Sequence, residues 1–212
     1  MWHKFHPMPD IPNMQAYLDR GHAVHAWTEQ MDEGNTVRPP HPYEGYCEAY
    51  KSFCYAMAPS WTHVEQAFDN GERGWHGIID RVGYIKGHDA LVIADIKTGK
   101  GQGKDTQVRV ATQLASYAMG WRPHSYREVL RVGIFLHADG EWRAVGYQDE
   151  ADFDRWRRLL AEAQHGDTSE EHLEKTLSST NQVCSNGSVC DDHRSSQLPT
   201  GIPHTDTGTE GS

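Results

Sequence analysis

Two apolar runs, Trp75-His-Gly-Ile-Ile-Asp80-Arg-Val and Ala90-Leu-Val-Ile-Ala-Asp95-Ile, each reach an aspartate, and Lys86-Gly87-His88-Asp89 joins them. Short runs rich in Ile and Val, bounded by turn residues, read as strands. The period of two begins earlier, at Thr62, where Val64 and Gln66 alternate with Glu65 and Ala67, and Asn70-Gly71 supplies a tight turn before Trp75. Three strands in a meander follow, with an acidic residue at a corresponding place on the last two.

Helical spacing governs the flanking segments. Asn13 to Gly34 has a capping residue at its start, Tyr17, Val24 and Met31 along one side, and a glycine stop. Pro39-Pro40-His41-Pro42 breaks the chain before a second helix, Tyr43 to Met57, whose Tyr46, Tyr50, Phe53 and Met57 would cover the sheet. A helix from Gln107 to Met119 turns Val110, Leu114 and Tyr117 inward. Strands Val129–Leu136 and Trp142–Tyr147 follow around Asp139-Gly140, then a last helix from about Asp149 to Ala163 that buries Phe153, Trp156, Leu159 and Leu160. Strands interleaved with helices imply an α/β domain, expected to occupy residues 1–165. Residues 166–212 are rich in Ser, Thr, Gly, Asp and Glu and are expected to form a flexible acidic tail.

The 212 residues carry a formal charge of -10, an awkward balance for contact with phosphates. Its distribution matters more than the sum. From His165 onward eight acids stand against Lys175 and Arg194, which leaves -6 there and -4 before it, while Arg81, Lys97, Lys100, Lys104 and Arg109 gather around the two aspartates. The absence of any long apolar run excludes a membrane-spanning helix, and Met1-Trp-His-Lys-Phe-His has no signal-peptide core, so a cytoplasmic protein is expected. Cys47 and Cys54, seven apart, share one helix face as small apolar groups; no disulfide framework is indicated. Cys184, Cys190 and His193 are too few and too polar in setting to make a zinc site.

Two converging carboxylates and a backbone carbonyl can hold a hard divalent cation, which prefers oxygen ligands. Asp95 and Lys97 are two apart on a strand and so point to one face, while Ile96 turns its side chain into the core and offers its carbonyl to a metal. Lys97 would then orient an attacking water or stabilise a developing anion. Gln113 and Tyr117, four apart, share a helix face. The stretch Lys97-Thr-Gly-Lys-Gly-Gln-Gly-Lys104 lacks the spacing of a nucleotide-binding phosphate loop and reads as a flexible basic loop at the mouth of a groove.

Gly77-Ile-Ile-Asp80, Asp95-Ile-Lys97 and Gln113-Leu-Ala-Ser-Tyr117, in this order, resemble the PD-(D/E)XK nuclease superfamily, and within it the RecB-type and phage exonuclease branch. Arg20-Gly-His-Ala-Val-His25-Ala-Trp resembles that branch's first motif, and the likeness spans residues 14–150. It implies a restriction-endonuclease-like core, a central mixed β-sheet flanked by α-helices. It further implies an exonuclease that hydrolyses DNA with Mg²⁺ or Mn²⁺ in phage or bacterial recombination and repair. By the resemblance Asp80, Asp95, Lys97, Gln113 and Tyr117 are catalytic, and His25 joins Asp80, Asp95 and Ile96 around the metal, with His22 as the fallback histidine and Glu65 as a further acidic candidate. Arg81, Lys100, Lys104 and Arg109 are expected to bind DNA. A strand-annealing or other recombination protein is a possible partner, and assembly of several copies a possible state. Some RecB-type relatives hold an iron–sulfur cluster through one early and three late cysteines, but here no cysteine precedes His25 and no cluster is expected. The alternatives are a structure-specific endonuclease and a catalytically silent DNA-binding module of the same fold; no residue separates RNA from DNA as substrate.

Overall fold

A computed structural model describes residues 14–71, 74–101 and 103–177, with side-chain surroundings as far as Gln164. The elements run α1 (Met14–Asp32), α2 (Glu44–Met57), β1 (Ser60–Asn70), β2 (Trp75–Tyr84), β3 (Val92–Thr98), α3 (Lys104–Trp121), a 3₁₀ turn (Tyr126–Glu128), β4 (Leu130–Leu136), β5 (Trp142–Tyr147) and α4 (Ala151–Leu177). The five strands form one mixed sheet in the order β1-β2-β3-β4-β5. Its first three strands are the expected antiparallel meander, α3 carries the crossover that makes β3 and β4 parallel, and β5 returns antiparallel to β4. This is an α/β, restriction-endonuclease-like core.

Alternation along β3 divides the apolar side chains between two layers. Val92, Ala94 and Ile96 face α1 and α2, where Val24, Trp27, Tyr50 and Phe53 are buried. Ile93 turns to the opposite layer with Val110, Leu114, Phe153 and Trp156 of α3 and α4. Asp95 and Lys97, in phase with Ile93, are thereby aimed at α3. Buried Arg131 of β4 meets Asp152 at 3.0 Å and the Asp149 carbonyl at 2.9 Å, which docks the acidic start of α4. Cys47 packs fully buried on α2 and Cys54 half-buried, both as free thiols, and burial pushes the Cys47 thiol up to about 11.

Several boundaries depart from expectation. Asn13, the expected cap of α1, lies outside the described residues, and Tyr17, expected inward, is 45% exposed. The first hairpin closes at Asn70↔Trp75, with the Gly74 amide donating to the Asn70 carbonyl, a wider turn than Asn70-Gly71 alone suggests. The last helix does not stop at Ala163. It continues to Leu177, because Glu, Leu and Lys beyond Gly166 sustain a helix through a composition that otherwise reads as coil. Two units divide the chain: Met1–Glu171 holds the sheet and its helices, and the described part of His172–Ser212 is the helical stretch to Leu177. Cys184, Cys190, His193 and most of the expected tail lie outside the described residues. Among the described residues no helix is long and apolar enough to cross a membrane.

Candidate metal centre and active site

The site begins where the sheet comes apart. Pairing of β2 with β3 ends at Arg81↔Ala94, whereas β3 stays paired with β4 as far as Thr98↔Leu136. Past that end, the Asp80 carboxylate replaces the missing strand and accepts the Ile96 amide at 2.6 Å. Gly77 of the same run has no side chain for a packing reason: a Cβ there would stand 2.9 Å from the Phe68 ring and 3.3 Å from Tyr117.

His25 of α1 closes the notch. Its Nε2 lies 2.9 Å from the Ile96 carbonyl, which can only accept, so Nε2 carries the hydrogen and Nδ1 is left for other partners. Nδ1 faces Asp80 Oδ2 at 3.6 Å and Glu65 Oε1 at 3.9 Å. Burial alone would lower the imidazole's pKa, but the Asp80 and Glu65 carboxylates that face Nδ1 raise it to about 8. His25, Glu65 and Asp80 together offer ligand atoms that all lie within 4.8 Å of one another. One imidazole and two carboxylates form a donor set that suits a divalent cation.

Asp95 is 1% exposed, and neither of its carboxylate oxygens has a partner with hydrogen-bond geometry. Lys97 Nζ stands 2.7 Å from Oδ2, close enough for an ion pair although the angles are not those of a hydrogen bond. Burial pushes the Asp95 carboxyl up, against the pull of Lys97. A buried carboxylate with an orphaned oxygen also suits a nearby cation. For Lys97, burial would lower the pKa, but Asp95 and Asp80 more than offset it, and the ammonium stays charged.

The remaining site residues are placed as follows. Arg81, expected to bind DNA, is 0% exposed and turns its guanidinium to Asp32, Glu65, Thr28 and the Asp80 carbonyl, out of reach of a phosphate. The Ile96 carbonyl, expected to face a metal, accepts from His25 Nε2 at 2.9 Å. His22, the fallback ligand, is exposed on α1 and does not join the group around Asp80. Glu65, a secondary candidate by sequence, takes a place in that group. The observed register places it: counting back from Asn70↔Trp75 sets Glu65 opposite Asp80, between the pairs Val64↔Arg81 and Gln66↔Ile79. Glu65 itself holds a left-handed φ of +48°, uncommon in a strand.

A cleft of about 530 Å³ runs from His25 and Lys97 between α1, α3 and the loop that follows β3. Gln113 lines it and donates to the Tyr117 hydroxyl at 2.6 Å; Tyr117 packs edge-on against Phe68. Lys100 and Arg109 line it too, whereas Lys104 is exposed outside it. Arg20, which sequence reasoning passed over, borders the cleft with its guanidinium bonded to the Thr98 hydroxyl (3.1 Å) and carbonyl (3.0 Å). The basic loop is pinned at Gly101. A Cβ at that residue would overlap the Phe135 ring, φ there is +56°, and its carbonyl accepts from Gln107 and Arg143.

No curated protein matches the sequence significantly. Among solved structures, the chain aligns with an alkaline exonuclease (LHK-Exo) from Laribacter hongkongensis at 13% identity, covering 84% of this chain and 90% of that one with a TM-score of 0.44. The sequence profile of the PD-(D/E)XK nuclease superfamily matches residues 4–191. A match over most of its length shows that the chain belongs to the PD-(D/E)XK nuclease superfamily.

Proposed function

We propose that the protein is a DNA exonuclease dependent on Mg²⁺ or Mn²⁺, with residues 1–165 as its catalytic unit. The observation that carries the reading is the convergence of His25, Glu65 and Asp80 beside the Asp95–Lys97 pair at the end of a cation-lined cleft. His25, Glu65, Asp80 and the orphaned side of Asp95 are the groups that would hold the metal. When bound, such an ion neutralises charge on the scissile phosphate and makes water a better nucleophile.

The protein's own groups divide the remaining work. Lys97 is held cationic, which suits it to orient the attacking water or stabilise the developing anion and makes it a poor general base. Asp95 fixes the ammonium in place. Gln113 and the Tyr117 hydroxyl form a paired contact beside the cleft for a phosphate or sugar oxygen. Lys100 and Arg109 hold the strand by its backbone. The motif order, similar to that of the RecB-type and phage exonuclease branch, supports digestion from an end, and with it a role in recombination or repair beside a strand-annealing protein.

End-labelled linear and closed-circular DNA, incubated with Mg²⁺, Mn²⁺ or EDTA, test this for wild type, Asp95→Ala and Lys97→Ala. Metal-dependent loss of linear DNA alone, abolished by either substitution, is the expected result. Cutting of circles would make it an endonuclease, and DNA binding without cleavage a silent module.

A further inference from the structure

A buried guanidinium is costly unless its N–H groups find acceptors, so the destinations of Arg81's show what it is for. Nε donates to Asp32 Oδ2 at 2.6 Å, Nη1 to Glu65 Oε1 at 3.2 Å and to the Asp80 carbonyl at 2.7 Å, and Nη2 to Thr28 Oγ1 at 2.9 Å. These acceptors sit on α1, β1 and β2, the three elements that carry His25, Glu65 and Asp80. Thr28 passes the contact on, since its hydroxyl donates to the His25 carbonyl at 2.9 Å. Asp32 is braced from behind by the Tyr50 hydroxyl (2.6 Å), and Tyr50 by the Trp61 indole (3.1 Å). Glu65 keeps a left-handed backbone, a conformation that persists only where the surroundings enforce it.

We propose that Arg81 is a positioning residue for the metal centre: one buried guanidinium, bound at once to Asp32, Glu65, Thr28 and the Asp80 carbonyl, holds three metal ligands at the spacing a divalent cation needs. The inference rests on the metal-centre reading above and assigns the part of the chain that assembles it. Lysine would keep the charge but lacks the planar fork, and cannot serve three elements together. If Arg81 were no more than a core ion pair, Arg81→Lys would lower stability and leave the folded protein's metal affinity unchanged.

The test is Mn²⁺ binding to the full-length metal-free chain, by titration calorimetry and by the electron paramagnetic resonance of free Mn²⁺, with nuclease activity measured alongside. Arg81→Lys, native by circular dichroism, is expected to bind Mn²⁺ about 10–100-fold more weakly, the range typical when a group orienting metal ligands is lost. Thr28→Val, which keeps the side chain's volume and removes its hydroxyl, shifts the affinity in the same direction by up to about 10-fold, and Thr28→Ser restores it. Wild-type affinity in folded Arg81→Lys overturns the inference. If that variant does not fold, the Thr28 pair decides: weaker binding for Val with recovery for Ser supports it, and three equal affinities overturn it. A wild type that binds no Mn²⁺ removes the metal-centre reading and this inference together, whereas binding that no substitution alters removes this inference alone.

Discussion

A divalent cation held by His25, Glu65 and Asp80, as proposed, would displace a proton from His25. Nε2 is committed to the Ile96 carbonyl, and Nδ1 faces the Asp80 and Glu65 carboxylates at 3.6 and 3.9 Å, with Lys97 and Asp95 nearby as weaker influences of opposite sign. The result is an imidazolium raised from 6.5 to about 8. At pH 7 roughly one molecule in ten has the neutral ring that a metal requires, so apparent affinity is about tenfold below its plateau above pH 8. Calorimetric titration with Mn²⁺ at pH 7.0 and 8.5, in two buffers of different ionisation enthalpy, reads both quantities. About 0.9 proton is released at pH 7 and about a quarter of a proton at 8.5, and His25→Asn abolishes the difference. Equal affinity at the two pH values with no buffer-dependent heat refutes the reasoning. The same proton stabilises the metal-free fold, because its pKa is higher folded than unfolded. That contribution is complete below pH 6.5 and disappears through pH 8, a loss of about 2 kcal/mol at 1.36 kcal/mol per unit, visible in urea midpoints between pH 6 and 9. Asp95, pushed up by burial, adds a loss of the same sign at more acidic pH, which His25→Asn leaves in place.

Asp95→Asn abolishes cleavage of end-labelled linear DNA while the chain keeps its native circular dichroism, because it takes from Lys97 its ion-pair partner; cleavage that survives contradicts this. Asp32→Ala strands the Arg81 charge in the core and costs about 3–5 kcal/mol in urea unfolding, against about 0.5 kcal/mol or less for exposed Lys100→Ala. Lys100→Ala and Arg109→Ala each flatten the dependence of log K on log salt by about 0.7–0.9 for DNA binding, and neither changes Mn²⁺ affinity.

The sheet, its meander and the places of Asp80, Asp95, Lys97, Gln113 and Tyr117 were legible because each depends on local period: two along β2 and β3, four along α3. What depends on distant partners was not. Arg81 looks like a surface cation beside Asp80, and only the approach of Asp32 and Thr28 from α1 shows that it is enclosed. Glu65 reads as an ordinary strand residue until the hairpin register sets it against Asp80 and its left-handed backbone turns the carboxylate toward His25. The end of α4 was misplaced because Gly166, Ser169 and Thr168 argue for coil locally while the Glu-rich turns after them sustain the helix. The loop after β3 was read as flexible from its glycines, yet Gly101 is there to let the chain lie against Phe135.

The bond between His25 and Ile96 spans 71 residues of chain, and that between Arg20 and Thr98 spans 78. Contacts so remote in sequence carry a loop-closure cost greater than that of the local hairpin of β1 and β2. During synthesis, α1 therefore emerges long before the strand against which it completes the centre. A nascent or partly unfolded chain, with α1 undocked, has its carboxylates but no closed site, and cutting power arrives only with the finished fold.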